Sequence, residues 1–171
     1  MTKREFQFLF CPVCGGRLKQ VMLKDHEPAR LVCKECSFVF YQDPKLVACS
    51  VIDIDGQIVL IKRDINPGRG KWVVPGGYVD QGEVIEAAAV RETMEECGIR
   101  TRIKRLLGVY SYSGEKAALV FYVAEYISGE LIVGDESQEF RLFSRNEIPW
   151  DDLAFQSTKD ALRDYYRISK G

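Results

Sequence analysis

The sequence predicts an α/β fold: a mixed β-sheet sandwiched between helices, preceded by a small cysteine-stapled ribbon. Three observations predict it. Apolar, β-branched runs lie on both sides of one Pro- and Gly-free segment, residues 83–97, that carries three consecutive alanines. A second helical segment follows the last strand signals, so strands, helix, strands and helix succeed one another. The first 44 residues instead hold two CxxC pairs in a stretch too short to bury a core of its own.

In chain order, Cys11-Pro-Val-Cys14 is followed by Gly15-Gly16 and, after eighteen intervening residues, by Cys33-Lys-Glu-Cys36. This is the spacing of a four-cysteine zinc ribbon, in which each pair forms a knuckle and small residues after it let the chain turn. Strands are expected over residues 17–23, 29–32 and 38–41. Zn²⁺ held by Cys11, Cys14, Cys33 and Cys36 would supply the missing stability, on the order of 10 kcal/mol or more. A nucleic-acid-reading finger would need a basic recognition element, but Lys19, Lys24, Arg30 and Lys34 are offset by Asp25, Glu27 and Glu35. A redox role would use one CxxC rather than two at ribbon spacing. His26 has no partner at ligand spacing and reads as an exposed loop residue beside Pro28. Cys49 and Cys97 fall outside the pairs and read as packed thiols.

Residues 45–53 and 57–62 read as strands joined by Asp55-Gly56, a hairpin turn dipeptide. Residues 63–70 form a turn-rich loop, and residues 72–75 a short strand that delivers Gly76-Gly77. Trp72 is expected in the core. Arg69 and Lys71 are either solvated loop charges or groups that approach a substrate's phosphates.

In the helix over residues 83–97, Asp80 and Glu83 stand in capping-box spacing and Gly98 marks the stop. At about 100° per residue, Ala87, Val90, Met94 and Cys97 share one face, and Glu92, Glu95 and Glu96 gather on the other. That acidic face is unfavourable for a bare helix. Each like-charge pair at contact spacing costs roughly 0.2–0.5 kcal/mol, and all three acids lie near the negative end of the macrodipole, where cations are favoured. A bound divalent cation explains them economically, since carboxylates suit Mg²⁺ or Mn²⁺. A merely solvated acidic face is the plainer reading.

Beyond the helix, residues 100–112 and 117–126 read as strands around Ser113-Gly114-Glu115, with a further strand over residues 139–144. Arg100, Arg102, Lys104 and Arg105 are accounted for as alternate exposed positions on a strand. Ser157 is expected to cap a closing helix that runs to Arg167.

The chain has 171 residues, enough for one ordinary domain plus an accessory unit, read as residues 1–44 and 45–171. Hydrophobic residues at 46% are ample for a core, and a net charge of −1 provides no basic field to draw in nucleic acid. No apolar run approaches a signal peptide or a membrane span. Six cysteines, four of them in CxxC pairs, fit a reducing compartment, so a cytoplasmic location is expected.

Residues 77–99 resemble the Nudix box. Gly77, five residues, Glu83, seven residues and then Arg91-Glu92-Thr93-Met94-Glu95-Glu96-Cys97-Gly98-Ile99 match every fixed position of that 23-residue signature. Thr93 is a soft departure, standing where the family usually has an aliphatic residue. The resemblance covers the box directly and roughly residues 45–165 by context. It implies a Nudix α/β/α sandwich and a Mg-dependent pyrophosphohydrolase. Glu92, Glu95 and Glu96 would hold the metal with the carbonyl of Gly76, while Arg91 and Glu83 would orient the carboxylates. A further carboxylate often comes from a distal loop, here Asp135, Glu136 or Glu139.

The implied reaction splits a nucleoside diphosphate linked to another moiety, with ADP-ribose or a dinucleotide such as FAD or NADH as substrate and AMP released. The ribbon ahead of the box is similar to NADH pyrophosphatase-like members and to a related ADP-ribose and FAD group. The Ser-Gln-Pro-Trp-type motif of the first is missing from residues 107–112, and the Pro of a dedicated ADP-ribose branch from residues 113–116. Residues 150–162, WDDLAFQSTKDAL, look like the second ribbon-bearing group. Family habit implies a homodimer. Two other readings are a catalytically silent Nudix-like regulator that binds nucleotide or nucleic acid, against which the intact acids argue, and an isomerase on this scaffold, whose cysteine motif is missing.

Overall fold

The computed structural model describes residues 8–168, and the chain falls into two compact units with the boundary between Asp43 and Pro44. The first unit is an antiparallel three-stranded sheet of β1 (Leu18–Val21), β2 (Arg30–Cys33) and β3 (Val39–Phe40), in that order. The first and third strands are shorter than the expected 17–23 and 38–41, and the second keeps the expected four residues but is shifted by one from 29–32, to end at the knuckle residue Cys33. Among its described residues, the buried apolar side chains of this unit are Cys11 and Cys33. Its centre is therefore a group of thiols, as a unit too small for a hydrophobic core requires.

The second unit is built around β4 (Lys45–Ile54), β5 (Gln57–Arg63), β6 (Trp72–Val73), β7 (Gly76–Tyr78), β8 (Ile99–Ser111), β9 (Ala117–Gly129) and β10 (Ser137–Ser144). The helices are α1 (Ile85–Cys97) and α2 (Gln156–Ile168), and short 3₁₀ turns span Arg145–Glu147 and Trp150–Asp152. The sheet runs β10-β5-β4-β9-β8, with β6 paired to β5 and β7 to β4. The β4–β9 pair is parallel and the others antiparallel, so the sheet is mixed. The β4–β5 hairpin turns on Asp55 and Gly56, whose φ values of 53° and 83° suit the primed turns that such hairpins use.

Strand alternation sends neighbouring side chains to opposite faces. Val51, Ile58, Leu60, Phe121 and Val123 pack with Ala161, Leu162 and Tyr165 of α2. Their neighbours Ile52, Val59, Ile61 and Ala124 pack with Cys97 of α1, and Ala48, Val120 and Tyr122 with Ala88 and Ala89. A sheet covered by a helix on each side is the sandwich that the sequence predicts. Among the described residues, no helix is long and apolar enough to cross a membrane.

Three local expectations are corrected. Helix α1 begins at Ile85 with Val84 as its N-cap, and no side chain caps it. Glu83 accepts the Asp80 N–H at 3.0 Å, but the pair closes a turn before the helix. Ser157 lies inside α2, buried in its first turn, rather than capping it. The buried stripe of α1 is Ala88, Ala89, Thr93 and Cys97, while Ala87 and Met94 are exposed. Small side chains at 88 and 89 let the helix lie close against β4 and β9, which turns this face to the sheet. Gly98 ends the helix as expected, with φ 70° and its N–H on the Met94 carbonyl at 2.9 Å.

Candidate functional site

Strand β7 pairs with the middle of β4, where Gly76 faces Cys49 and Gly77 faces Ala48. Gly76 has φ 155°, and a Cβ there would overlap the Ala48 carbonyl and Cys49. A Cβ on Gly77 would overlap the Glu92 carboxylate instead. The glycine pair thus answers two separate demands: the first to pass the backbone of β4, the second to leave room for an acid from α1.

Glu92, Glu95 and Glu96 flank the buried stripe of α1. The Gly76 N–H donates to Glu96 Oε2 at 2.8 Å. Arg91 is the hub of the remainder. Its Nε and one terminal nitrogen hold both oxygens of Glu83 at 2.9 Å each. Its other nitrogen reaches Glu92 at 2.7 Å and Glu95 at 3.2 Å, and the Tyr78 carbonyl accepts a bond at 3.0 Å. The bidentate fork fixes the guanidinium plane, and the plane then fixes two of the three carboxylates. Nothing in a sequence marks a backbone acceptor such as Tyr78.

The electrostatics divide the acids. Arg91, with the Asp80 N–H, pulls the Glu83 carboxyl from 4.5 to about 2. Burial pushes Glu96 up to about 7, against the Gly76 N–H, with Glu92 raising it further. Burial also raises Glu92, against Arg91. Desolvated carboxylates that repel one another are a site short of positive charge. The hard oxygen donors of Glu92, Glu95 and Glu96 fit Mg²⁺ or Mn²⁺ by their chemistry.

The distal loop is tied to this helix by Ile132 N–H to Cys97 O at 3.0 Å and Gly134 N–H to Glu96 O at 3.1 Å. Of its acids, Glu136 acts on the Glu96 carboxyl, whereas Glu139 pairs with Lys62 at 3.4 Å. The register of β10 shifts between Ser137 and Glu139, at the start of the strand that follows Glu136. Arg63 also acts on Glu96, a part that the sequence did not reveal. Arg69 is occupied by Asp64 at 3.0 Å. Trp72 is in the core, edge-on to Phe143 with ring centres 4.9 Å apart.

In the first unit the four sulfurs of Cys11, Cys14, Cys33 and Cys36 lie within 4.8 Å of one another. Neighbouring sulfurs are 3.3 to 3.8 Å apart. A tetrahedral zinc with Zn–S of about 2.3 Å would need S···S edges of about 3.8 Å, so the set is close to that shape. Val13 and Glu35 N–H groups point at Cys11 and Cys33 sulfurs at 3.4 Å each. Amides of Cys36 and Glu35 pull the Cys33 thiol from 9.0 to about 7 against the effect of burial, while the Cys36 and Cys33 sulfurs push the Cys14 thiol up to about 12 against the Gly16 amide, so the set shares its protons unevenly. His26 is exposed, and Cys49 and Cys97 are buried free thiols.

Comparison with known proteins gives matches to both units. The family described as NUDIX domain matches residues 43–165, and that described as Nudix N-terminal, a zinc-ribbon family, matches residues 9–42. An ADP-ribose pyrophosphatase of Methanocaldococcus jannaschii is 40% identical over 136 residues, 77% of this chain and 78% of that protein. An NAD-capped RNA hydrolase, NudC, of Vibrio cholerae is 28% identical over 123 residues, 71% of this chain and 44% of that protein. The chain thus spans about half the length of the NudC relatives that it matches. A crystal structure of a NUDIX hydrolase from Nitrosomonas europaea superposes with a TM-score of 0.88 at 34% identity, over 94% of this chain and 91% of that one.

Proposed function

This chain belongs to the Nudix hydrolases, and from that premise we propose that it hydrolyses the pyrophosphate bond of ADP-ribose or of a dinucleotide such as FAD or NADH, releasing AMP. The observation that carries the proposal is the Arg91 hub, which holds Glu83, Glu92 and Glu95 in one array beside the Gly76–Glu96 bond. The activity for which the archaeal relative is named, in a protein that aligns over most of both chains, supports ADP-ribose as the first substrate to try.

In this reading Glu92, Glu95, Glu96 and the Gly76 carbonyl hold Mg²⁺ or Mn²⁺. Bound there, the cation neutralises phosphate oxygens and acidifies water. The residues do the rest. Glu83 holds Arg91 in its plane, and Arg91 keeps the Glu92 and Glu95 carboxylates in place. Gly77 leaves the space that Glu92 occupies. A glutamate of the set takes the proton from the attacking water. In the ribbon, Cys11, Cys14, Cys33 and Cys36 hold one Zn²⁺ as a structural staple.

Incubation of the protein with Mg²⁺ and ADP-ribose, NADH, FAD or nucleoside triphosphates, with AMP measured by chromatography, tests the reading. AMP release from ADP-ribose or a dinucleotide is expected, and Glu95→Gln should abolish it while the circular dichroism stays unchanged. No turnover of any of these substrates, with Mg²⁺ demonstrably bound, would favour a silent regulator.

A further inference from the structure

The turn that carries Glu136 is fastened at both ends. Gly134 and Ser137 close it, with the Ser137 N–H on the Gly134 carbonyl at 3.0 Å. On one side the Gly134 N–H donates to the Glu96 carbonyl at 3.1 Å, and a Cβ on Gly134 would overlap the backbone of Glu95 and Glu96. On the other side the Glu136 carbonyl accepts the Asp64 N–H at 2.8 Å. Glu136 is thus suspended between the last turn of α1 and the first residue after β5.

Asp64 holds more than that one carbonyl. Its Oδ1 accepts from Gln138 Nε2 at 2.9 Å and from Arg69 Nε at 3.0 Å, with a second Arg69 nitrogen also at 3.0 Å. Gln138 and Arg69 keep the Asp64 carboxyl below its ordinary range, so these bonds are charge-assisted. Gln138 reaches Asp64 from a bulge. Ser137 pairs with Arg63 and Glu139 with Lys62, which leaves Gln138 as an extra residue in β10. Such bulges re-aim a side chain and gather beside active sites. Asp64 therefore grips the chain on either side of Ser137, at Glu136 through its amide and at Gln138 through its carboxylate.

Stability does not account for this grip. The Asp64 and Arg69 side chains keep 40% and 61% of their exposure, and ion pairs so exposed contribute little to the folded state. What the bonds do fix is the path of the turn, and with it the place of Glu136 relative to Glu96. A reacting group displaced by an ångström loses much of its effect. Resting on the pyrophosphohydrolase reading above, we propose that Asp64 is a positioning residue, which grips the Gly134–Ser137 turn and the bulge after it to hold Glu136 at the acid array of α1.

Three measurements on the full chain test this: turnover of ADP-ribose at saturating Mg²⁺, amide hydrogen exchange without substrate, and unfolding in urea. Asp64→Ala should lower kcat by about tenfold or more, with KM little changed and the urea midpoint close to that of the wild type. Asp64→Asn keeps an acceptor for Gln138 but loses the charge that holds Arg69, so its kcat should fall between the two. Glu136→Gln should lower kcat at least as far as Asp64→Ala. Adding Asp64→Ala to it should lower kcat no further, since a carboxylate already removed cannot be misplaced. In Asp64→Ala the amides of position 64 and Ser137 should exchange faster, while those of β4 and β9 stay protected. No turnover by the wild type would fail the reading on which the inference rests. With the wild type active, the inference alone is overturned by an unchanged kcat in either single variant, by effects that multiply independently in the double variant, or by unchanged exchange at Ser137.

Discussion

At the scale of single residues, the adjacent glycines make opposite predictions. A methyl group on Gly76 meets the backbone of Ala48 and Cys49, and φ 155° is a conformation that L side chains rarely adopt. Gly76→Ala should therefore destabilise the fold, by about 1–3 kcal/mol from the backbone conformation alone, seen as a lower midpoint in urea. A methyl group on Gly77 meets first the carboxylate end of the Glu92 side chain, which can yield by giving up its bond to Arg91. Gly77→Ala should keep its unfolding midpoint within about 1 kcal/mol and still lose most of its Mg²⁺-dependent turnover. Glu83 supplies a pH test. Its carboxyl is depressed from 4.5 to about 2 by Arg91. The stability it contributes is full above 4.5 and lost as pH falls towards 2. The gap between wild type and Glu83→Gln, followed by circular dichroism, should thus be widest near neutrality and close across that interval. A gap independent of pH would mean that charge on Glu83 plays no part in holding Arg91.

Among the elements, α1 is the informative one. The acids lie at the positions read from spacing, but the apolar stripe is rotated from the expected one. Ala87 and Met94 face solvent, and Ala88, Ala89 and Thr93 are buried. Periodicity weighted by hydrophobicity favours Val and Met. The sheet instead selects small groups, because only these let the helix sit close enough for Glu92 to reach over Gly77 and Glu96 to reach the Gly76 amide. Thr93 fits the same logic: its hydroxyl bonds to the Ala89 carbonyl at 2.8 Å, so a polar residue is buried without an unmet donor. Ala89→Leu should overpack this seam, destabilising the protein by about 1–3 kcal/mol and lowering turnover by displacing both carboxylates. An unchanged denaturation midpoint would show that the helix has slack against β4.

On the scale of the whole molecule, each unit has its own source of internal cohesion. The larger has a sheet buried on both faces, whereas the described core of the ribbon is cysteine. Metal analysis of the full chain should find about one zinc. Cys33→Ser should lose it, with exchange of the ribbon amides rising and those of β4 and β9 staying protected. Global loss of protection would mean that the larger unit depends on the staple.

What the sequence determined by itself was the chemistry: the acids at i, i+3 and i+4, the glycine pair, the CxxC spacings and the strand–helix order. Such features are local, and a helix or hairpin of given composition places them wherever it sits. What only the tertiary structure decided was partnership. It turned Ala88 and Ala89 to the sheet, brought Glu136 rather than Glu139 towards Glu96, and set Tyr78's carbonyl on Arg91. Those outcomes depend on register, on close approach and on which charges are already taken. No single segment holds that information, because each is a contest between groups that meet only when the chain is folded.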